Sequence, residues 1–286
     1  MNSIEKAVKR LMSGSRAEDN KAVGQASVAM ENFQPYDPHL DSGNAVCHIA
    51  VEKLKDFGFL TPDSPDQKLA EEYRTLKRPL LVNAFNTGAG KVEYSNSVMI
   101  TSAIEGEGKT YTAFNLAISM SMERNNTVLL IDSDVIKGSL SKLLGLENRH
   151  GLVDLLANPE LNLSDVIVST DIPRLKVLPA GRPNIHSTEF LASSEMKRLA
   201  DEMSRRYPDR IILFDAPPLL ATSQAKVLTS VAGQILMVVE AGMTPQELVK
   251  DSISQLDSNK IIGVVLNKSR TSPGKNYYGG YYGSTE

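Results

Sequence analysis

The sequence has one cysteine, no apolar run of membrane-spanning length and no surplus of positive charge. Each shortage closes off a class of protein. With Cys47 alone, no disulfide can form within the chain, which suits a reducing compartment. Cys47 reads as a small buried residue rather than a nucleophile. The longest apolar runs, such as QILMVV, fall far short of the ~20 residues a membrane helix needs. The first residues, MNSIEKAVKRLMSGSRAEDN, lack the apolar core of a signal peptide. A cytoplasmic location is expected, with any membrane contact made through a partner or a surface helix. The formal net charge of -3 provides no general basic field for nucleic acid, so no nucleic-acid partner is expected. Internal repeats are absent.

What is present is a change of pattern along the chain. Residues 1–12 place Ile4, Ala7, Val8, Leu11 and Met12 on one stripe of an amphipathic helix. Residues 13–44 are polar, with scattered Gly, Ser, Pro, Asn and Asp, and read as a flexible linker. Residues 45–65 carry a short helical extension, VEKLKDF, stopped by Gly58 and Pro62. A helix follows from Asp66 to Leu81, with Leu69, Tyr73, Leu76 and Leu80 on one face. From Ser97 onward, short apolar runs alternate with helical stretches. The runs SVMITS, TVLLID, LKVLP, RIILFD, QILMVVE and IIGVVLN do not alternate with polar residues. Such strands are buried on both faces, as in a mostly parallel α/β sheet flanked by helices on both sides. Functional loops should then cluster at the carboxyl ends of the strands.

The first of these strands ends in SAIEGEGKTY, where Ala103, Gly108, Lys109 and Thr110 satisfy the phosphate-loop pattern between a strand and a helix. Gly106 and Gly108 allow a turn in which successive N–H groups face a phosphate, and the helix start adds its positive end. Nucleotide binding is assigned to Gly106, Glu107, Gly108, Lys109, Thr110 and Tyr111. The Lys109 ammonium reaches the β- and γ-phosphates, and the Thr110 hydroxyl is placed to ligate Mg²⁺. The side chains of Glu105 and Glu107 are expected to point outward to water.

Two further strands end in aspartate. TVLLID gives Asp132, with Asp134 two residues on, and RIILFD gives Asp215. A carboxylate at such a strand end beside a phosphate loop holds Mg²⁺ or polarises an attacking hydroxyl. The metal set is therefore Thr110, Asp132 and Asp215, and the catalytic set Lys109, Asp132 and Asp134. Asp134 also fits the cap of the following segment. Asn267 ends the last strand, where its amide suits an adenine edge.

GEGKT, LLIDSDVIKGSL and ILFDAPPLL together resemble the bacterial tyrosine kinases of polysaccharide export, within the deviant-Walker P-loop ATPases. EEYRTLKR and PAGRPN strengthen the resemblance, and DFGFLTP is similar to the exosortase-associated tyrosine autokinase branch. It implies a P-loop NTPase fold of deviant-Walker type over residues 66–272 and a tyrosine-rich tail at 273–286. Lys109 and Thr110 would belong to the first Walker motif, Asp132 and Asp134 to the second, and Asp215 to Walker B. Glu71, Arg74 and Lys77 would take the family's ring-packing motif. ATP and Mg²⁺ are the implied cofactors. A membrane chain-length regulator, or polysaccharide co-polymerase, is the implied activator, and a tyrosine phosphatase a further partner. The chain would then sit at the inner face of the plasma membrane through that regulator. The sequence departs from the family pattern at Glu105, where proline is frequent, and at Lys137 and Lys77, where arginine is usual.

Four of the nine tyrosines, Tyr277, Tyr278, Tyr281 and Tyr282, stand in the last ten residues, spaced by glycine. A phenol must be delivered in line with the γ-phosphate to accept it, and a glycine-spaced tail allows that travel. The resemblance implies autophosphorylation of these four in the active site of the next subunit, regulating exopolysaccharide polymerisation and export. The competing reading is a scaffold or positioning ATPase of the septum-site or partition type, which would activate water instead.

Overall fold

The computed structural model describes residues 46–47, 54, 58–61, 66–85, 92–207 and 209–269. The expected helix at 1–12, the linker at 13–44 and the tyrosine tail at 273–286 lie outside the described residues, as does most of the 45–65 extension. Six strands form where the apolar runs predicted them: β2 (Ser97–Ser102), β3 (Thr127–Asp132), β5 (Leu175–Leu178), β6 (Arg210–Asp215), β7 (Gln234–Glu240) and β8 (Ile261–Asn267). Two short ones, β1 (Val46–Cys47) and β4 (Val168–Thr170), complete one sheet in the order β1-β4-β5-β3-β6-β2-β7-β8. Every neighbouring pair is parallel except β4 with β5.

Successive residues of the central strands enter opposite layers, which is why these runs needed no polar residue. Val98, Ile100, Val128, Leu130, Ile211 and Leu213 face one apolar cluster. Their neighbours Met99, Leu129, Ile131, Ile212 and Phe214 face the other. The first layer holds α1 (Gln67–Phe85) and α2 (Lys109–Ser121); the second holds α7 (Ser194–Arg206). Helix α2 is buried at every position from Thr112 to Ser121 because it lies between the sheet and α1. β8 departs from the expectation of two buried faces. It is an edge strand, and Val264 and Leu266 are 50% and 66% exposed.

Short connecting helices carry too few residues to show a period. They are α3 (Ser139–Leu143), α4 (Leu152–Ala157), α5 (Leu163–Val166), α6 (Ser187–Leu191) and α8 (Ser223–Leu228). The longer α9 (Gln246–Ser254) lies between β7 and β8. No helix among the described residues is long and apolar enough to cross a membrane.

Helix α1 runs to Phe85, a turn beyond the expected end at Leu81. Tyr73 and Leu80 are buried, and Leu69 and Leu76 pack partly buried beside them. The three residues expected to form a packing surface between subunits divide. Glu71 and Arg74 form an exposed ion pair at 3.0 Å. Lys77 is turned inward and 6% exposed. Its ammonium donates to the Ser119 carbonyl at 2.6 Å and pairs with Glu123 Oε1 at 2.7 Å, tying α1 to the end of α2. The expectation for Lys77 is thus corrected: the carbonyls left free at a helix end attract a cation, and its Nζ has an acceptor there.

Removing that ammonium leaves a buried acceptor without its donor. Lys77→Ala should lower the free energy of unfolding by about 1–3 kcal/mol, measured in urea. An unchanged unfolding midpoint would mean that the side chain does not hold α1 to α2.

Candidate active site

The phosphate loop runs from the end of β2 into α2, and its shape is imposed from three sides. Gly106 and Gly108 both adopt left-handed backbone, with φ of 87° and 94°. A Cβ on Gly108 would fall 2.1 Å from Asn267 Nδ2, so glycine is required there for packing as well as for conformation. Asn267 Nδ2 donates to the Glu107 carbonyl at 2.8 Å. Lys268 Nζ donates to the Gly106 carbonyl at 2.7 Å and pairs with Glu240 Oε2 at 2.9 Å. The loop is therefore held by the last residue of β8 and the one that follows it.

Glu107 corrects an expectation. Its side chain does not reach water; the residue is 1% exposed. The carboxylate accepts from the Ile104 amide at 2.8 Å, the Glu240 amide at 3.2 Å and the Thr244 hydroxyl. Two backbone N–H groups and a hydroxyl replace its hydration, which is what allows the charge inside. Glu105 does point outward, and its carboxylate pairs with Lys137 at 2.6 Å. That pair, half-exposed on both sides, holds the Glu105 carboxyl below the usual glutamate range. The two positions at which this loop and the second aspartate motif depart from the family pattern are thus bonded to each other.

The first intrahelical bond of α2 is Thr112 N–H to the Gly108 carbonyl, at 2.9 Å. The amides of Lys109, Thr110 and Tyr111 precede it and carry the positive end of the helix. The Tyr111 side chain is engaged away from the phosphate loop. Its hydroxyl donates to the Gly58 carbonyl at 2.6 Å and its ring lies 4.9 Å from that of Phe59, so only its amide fits the expected role. With Asn267 Nδ2 engaged by the loop, its Oδ1 is the atom left to accept from an adenine amino group.

Asp132 and Asp215 are register partners on neighbouring parallel strands, and both are buried. Asp132 Oδ2 accepts from the amide and the hydroxyl of Ser141, each at 2.7 Å. Asp215 Oδ2 accepts from Thr110 Oγ1 at 2.7 Å, linking Walker B to the phosphate loop. The second oxygen of each, Oδ1, is buried with no hydrogen-bond partner. Burial pushes Asp132 up to about 6, against the two Ser141 bonds. Burial, and then the charge of Asp132, push Asp215 up to about 8, against Lys109 and Thr110. Asp134 is 5% exposed and is also raised by burial; its Oδ1 accepts from the Lys137 amide at 3.3 Å, so it does cap the following turn. Among the described residues Lys109 forms no ion pair, yet it acts on both Asp134 and Asp215.

These residues fit Mg²⁺ carried with a nucleotide. A hydroxyl and two unpartnered carboxylate oxygens are the hard donors that this cation takes. Among the described residues no group of three or more His, Cys, Asp or Glu is placed to hold a metal alone. Phosphate and water oxygens would complete the shell, as is usual for Mg²⁺. Sequence reasoning missed Ser141, Thr244 and Lys268; none stands in a motif, and each acts through the fold.

The fold and the site define a P-loop ATPase. A model of the AAA domain family matches residues 96–259, and the chain belongs to that family. It is 32% identical over 225 residues to tyrosine-protein kinase YwqD of Bacillus subtilis, covering 78% of this chain and 90% of that one. The chain is accordingly a member of the bacterial tyrosine-protein kinase family. Tyrosine-protein kinase wzc of Salmonella typhimurium is 31% identical over 237 residues, which are 81% of this chain but 31% of wzc. Among solved structures, the kinase domain of Escherichia coli tyrosine kinase ETK superposes with a TM-score of 0.60 at 27% identity, covering 75% of this chain and 83% of that one. The chimerical protein CapA2B2 gives 0.62 at 27%, covering 73% and 88%.

A carboxyl raised by folding favours the protonated state. Stability from Asp215 and Asp132 is therefore complete at acid pH and is lost as pH rises through about 6 and about 8. Nucleotide-free protein should weaken towards urea between about pH 5 and about pH 8, and Asp215→Asn, which removes one carboxyl of the pair, should flatten that fall. A stability that climbs over this range, or a slope untouched by Asp215→Asn, would contradict the assignment.

Proposed function

We propose that the chain transfers the γ-phosphoryl group of ATP to Tyr277, Tyr278, Tyr281 and Tyr282 of a neighbouring copy within a ring. This transfer would regulate exopolysaccharide polymerisation and export. The observation that carries the reading is the bond from Thr110 to Asp215, with Asp132 alongside, in a chain 32% identical to a tyrosine-protein kinase. A tyrosine-rich terminus supplies an acceptor.

Mg²⁺, when bound, would neutralise charge on the β- and γ-phosphates. Lys109 adds its positive charge there, and the amides at the start of α2 bind phosphate oxygens. Asp132 and Asp215 would hold the metal, directly or through water, by their unpartnered oxygens. A phenol ionises near pH 10, so its proton needs an acceptor. Burial raises both, but Asp132 is fully enclosed and held by Ser141, whereas Asp134 keeps some exposure. Asp134 is therefore the carboxylate better placed to take that proton.

The partners that follow are a membrane chain-length regulator as activator and a tyrosine phosphatase that resets the tail. The location that follows is the cytoplasmic face of the plasma membrane, reached through the regulator. Incubation with MgATP and the regulator's cytoplasmic segment, read by mass spectrometry, tests the transfer. Lys109→Met should lower phosphate incorporation by about 100-fold or more. Phenylalanine at the four tail positions should abolish incorporation while ATP still binds. ATP turnover without labelled tyrosine in the wild type would instead indicate a scaffold ATPase.

A further inference from the structure

At the end of the sheet opposite the phosphate loop lies a second concave site. The amino-terminal ends of β3, β5 and β6 and the carboxyl end of β4 border a cavity of about 170 Å³. Strand β3 has six residues, so roughly 17 Å of strand separates this cavity from Asp132. Three cations line it, Arg174, Lys176 and Arg210, over an apolar wall that includes Ile172, Pro173 and Leu175.

The cations are not matched by carboxylates in the usual way. Arg210 is 9% exposed, and its guanidinium lies 3.8 Å from the centre of the Tyr207 ring. Among the described residues it forms no ion pair and no side-chain hydrogen bond. A buried arginine without a carboxylate is costly, and ring stacking offsets only part of that cost. Arg174 takes left-handed backbone, with φ of 64°, and its Nε donates to the Ser121 carbonyl at 2.8 Å. That bond fixes the guanidinium while using one of its five N–H donors. Lys176 is exposed and has no ion pair among the described residues. Asp209 offsets part of the charge: it acts on Arg210 and accepts a long bond from Thr127, at 3.4 Å.

We propose that this cavity is a second anion site, which takes a phosphomonoester and is separate from the nucleotide site. A dianion matches the surplus of cations, and guanidinium forks suit phosphate oxygens. The apolar wall accommodates the carrier of the phosphate. The volume suits a small ligand, below the several hundred Å³ of drug-sized pockets. The chemistry is shared by a sugar phosphate and by phosphotyrosine, and the probes below separate them.

The test uses the full chain with its nucleotide site saturated by MgADP, so that added phosphate cannot enter the phosphate loop. Inorganic phosphate, glucose 1-phosphate and O-phosphotyrosine are titrated by calorimetry. Binding of at least one is expected, weakened about tenfold or more by Lys176→Glu and by Arg210→Met. MgADP affinity should stay unchanged in both variants. Tighter binding of glucose 1-phosphate supports a sugar phosphate as ligand, and tighter binding of O-phosphotyrosine supports a phosphorylated tyrosine. Should Arg210→Met fail to fold, the exposed Lys176 carries the test alone. No binding by any of the three, or binding that Lys176→Glu leaves intact, overturns the proposal. Loss of MgADP binding in the wild type would instead count against the nucleotide site.

Discussion

Two carboxylates on one rung of a parallel sheet, both buried, set the terms for the rest of this molecule. Asp132 and Asp215 are register partners, and each keeps one oxygen without a hydrogen-bond donor. Such a pair is stable only with a proton or a cation, because like charges at low dielectric repel and neither is hydrated. Serine and threonine hold the other two oxygens and so fix where the unpartnered ones lie. A divalent ion delivered with phosphate would relieve that repulsion.

The phosphate loop is shaped to meet that pair. Glu107, buried among two amides and a hydroxyl, anchors the loop to the turn after β7. Asn267 and Lys268 hold its carbonyls from the end of β8. Asn267 ends β8 and Lys268 follows it directly.

Much of this was legible in the sequence because the strands speak through composition. Apolar runs without polar alternation announce β2, β3, β6 and β7, and the aspartates at two of their ends read as partners of the phosphate loop. β8 carried the same signal and misled, since an edge strand and a central strand of similar composition differ only in what covers them. Lys77 and Tyr111 were placed by motif position, yet their side chains follow packing: one caps the end of α2 and the other closes against Phe59. The charge of Glu107 says nothing of the three donors that surround its carboxylate inside the fold. Glu105 and Lys137 drew attention as separate departures, and only the fold shows that they answer each other across 2.6 Å. Local pattern reports period and strand ends; it is silent on partners brought together by topology.

The central claim is that the Asp132–Asp215 pair is completed by a divalent cation bound together with nucleotide. The most direct measurement is calorimetric titration of ATP into the full chain with Mg²⁺ and with EDTA, repeated on Asp215→Asn. The account predicts that Mg²⁺ tightens ATP binding to the wild type by about tenfold or more, and that most of this gain vanishes in the variant. Equal ATP affinity with and without Mg²⁺, or a gain fully kept by Asp215→Asn, would contradict it.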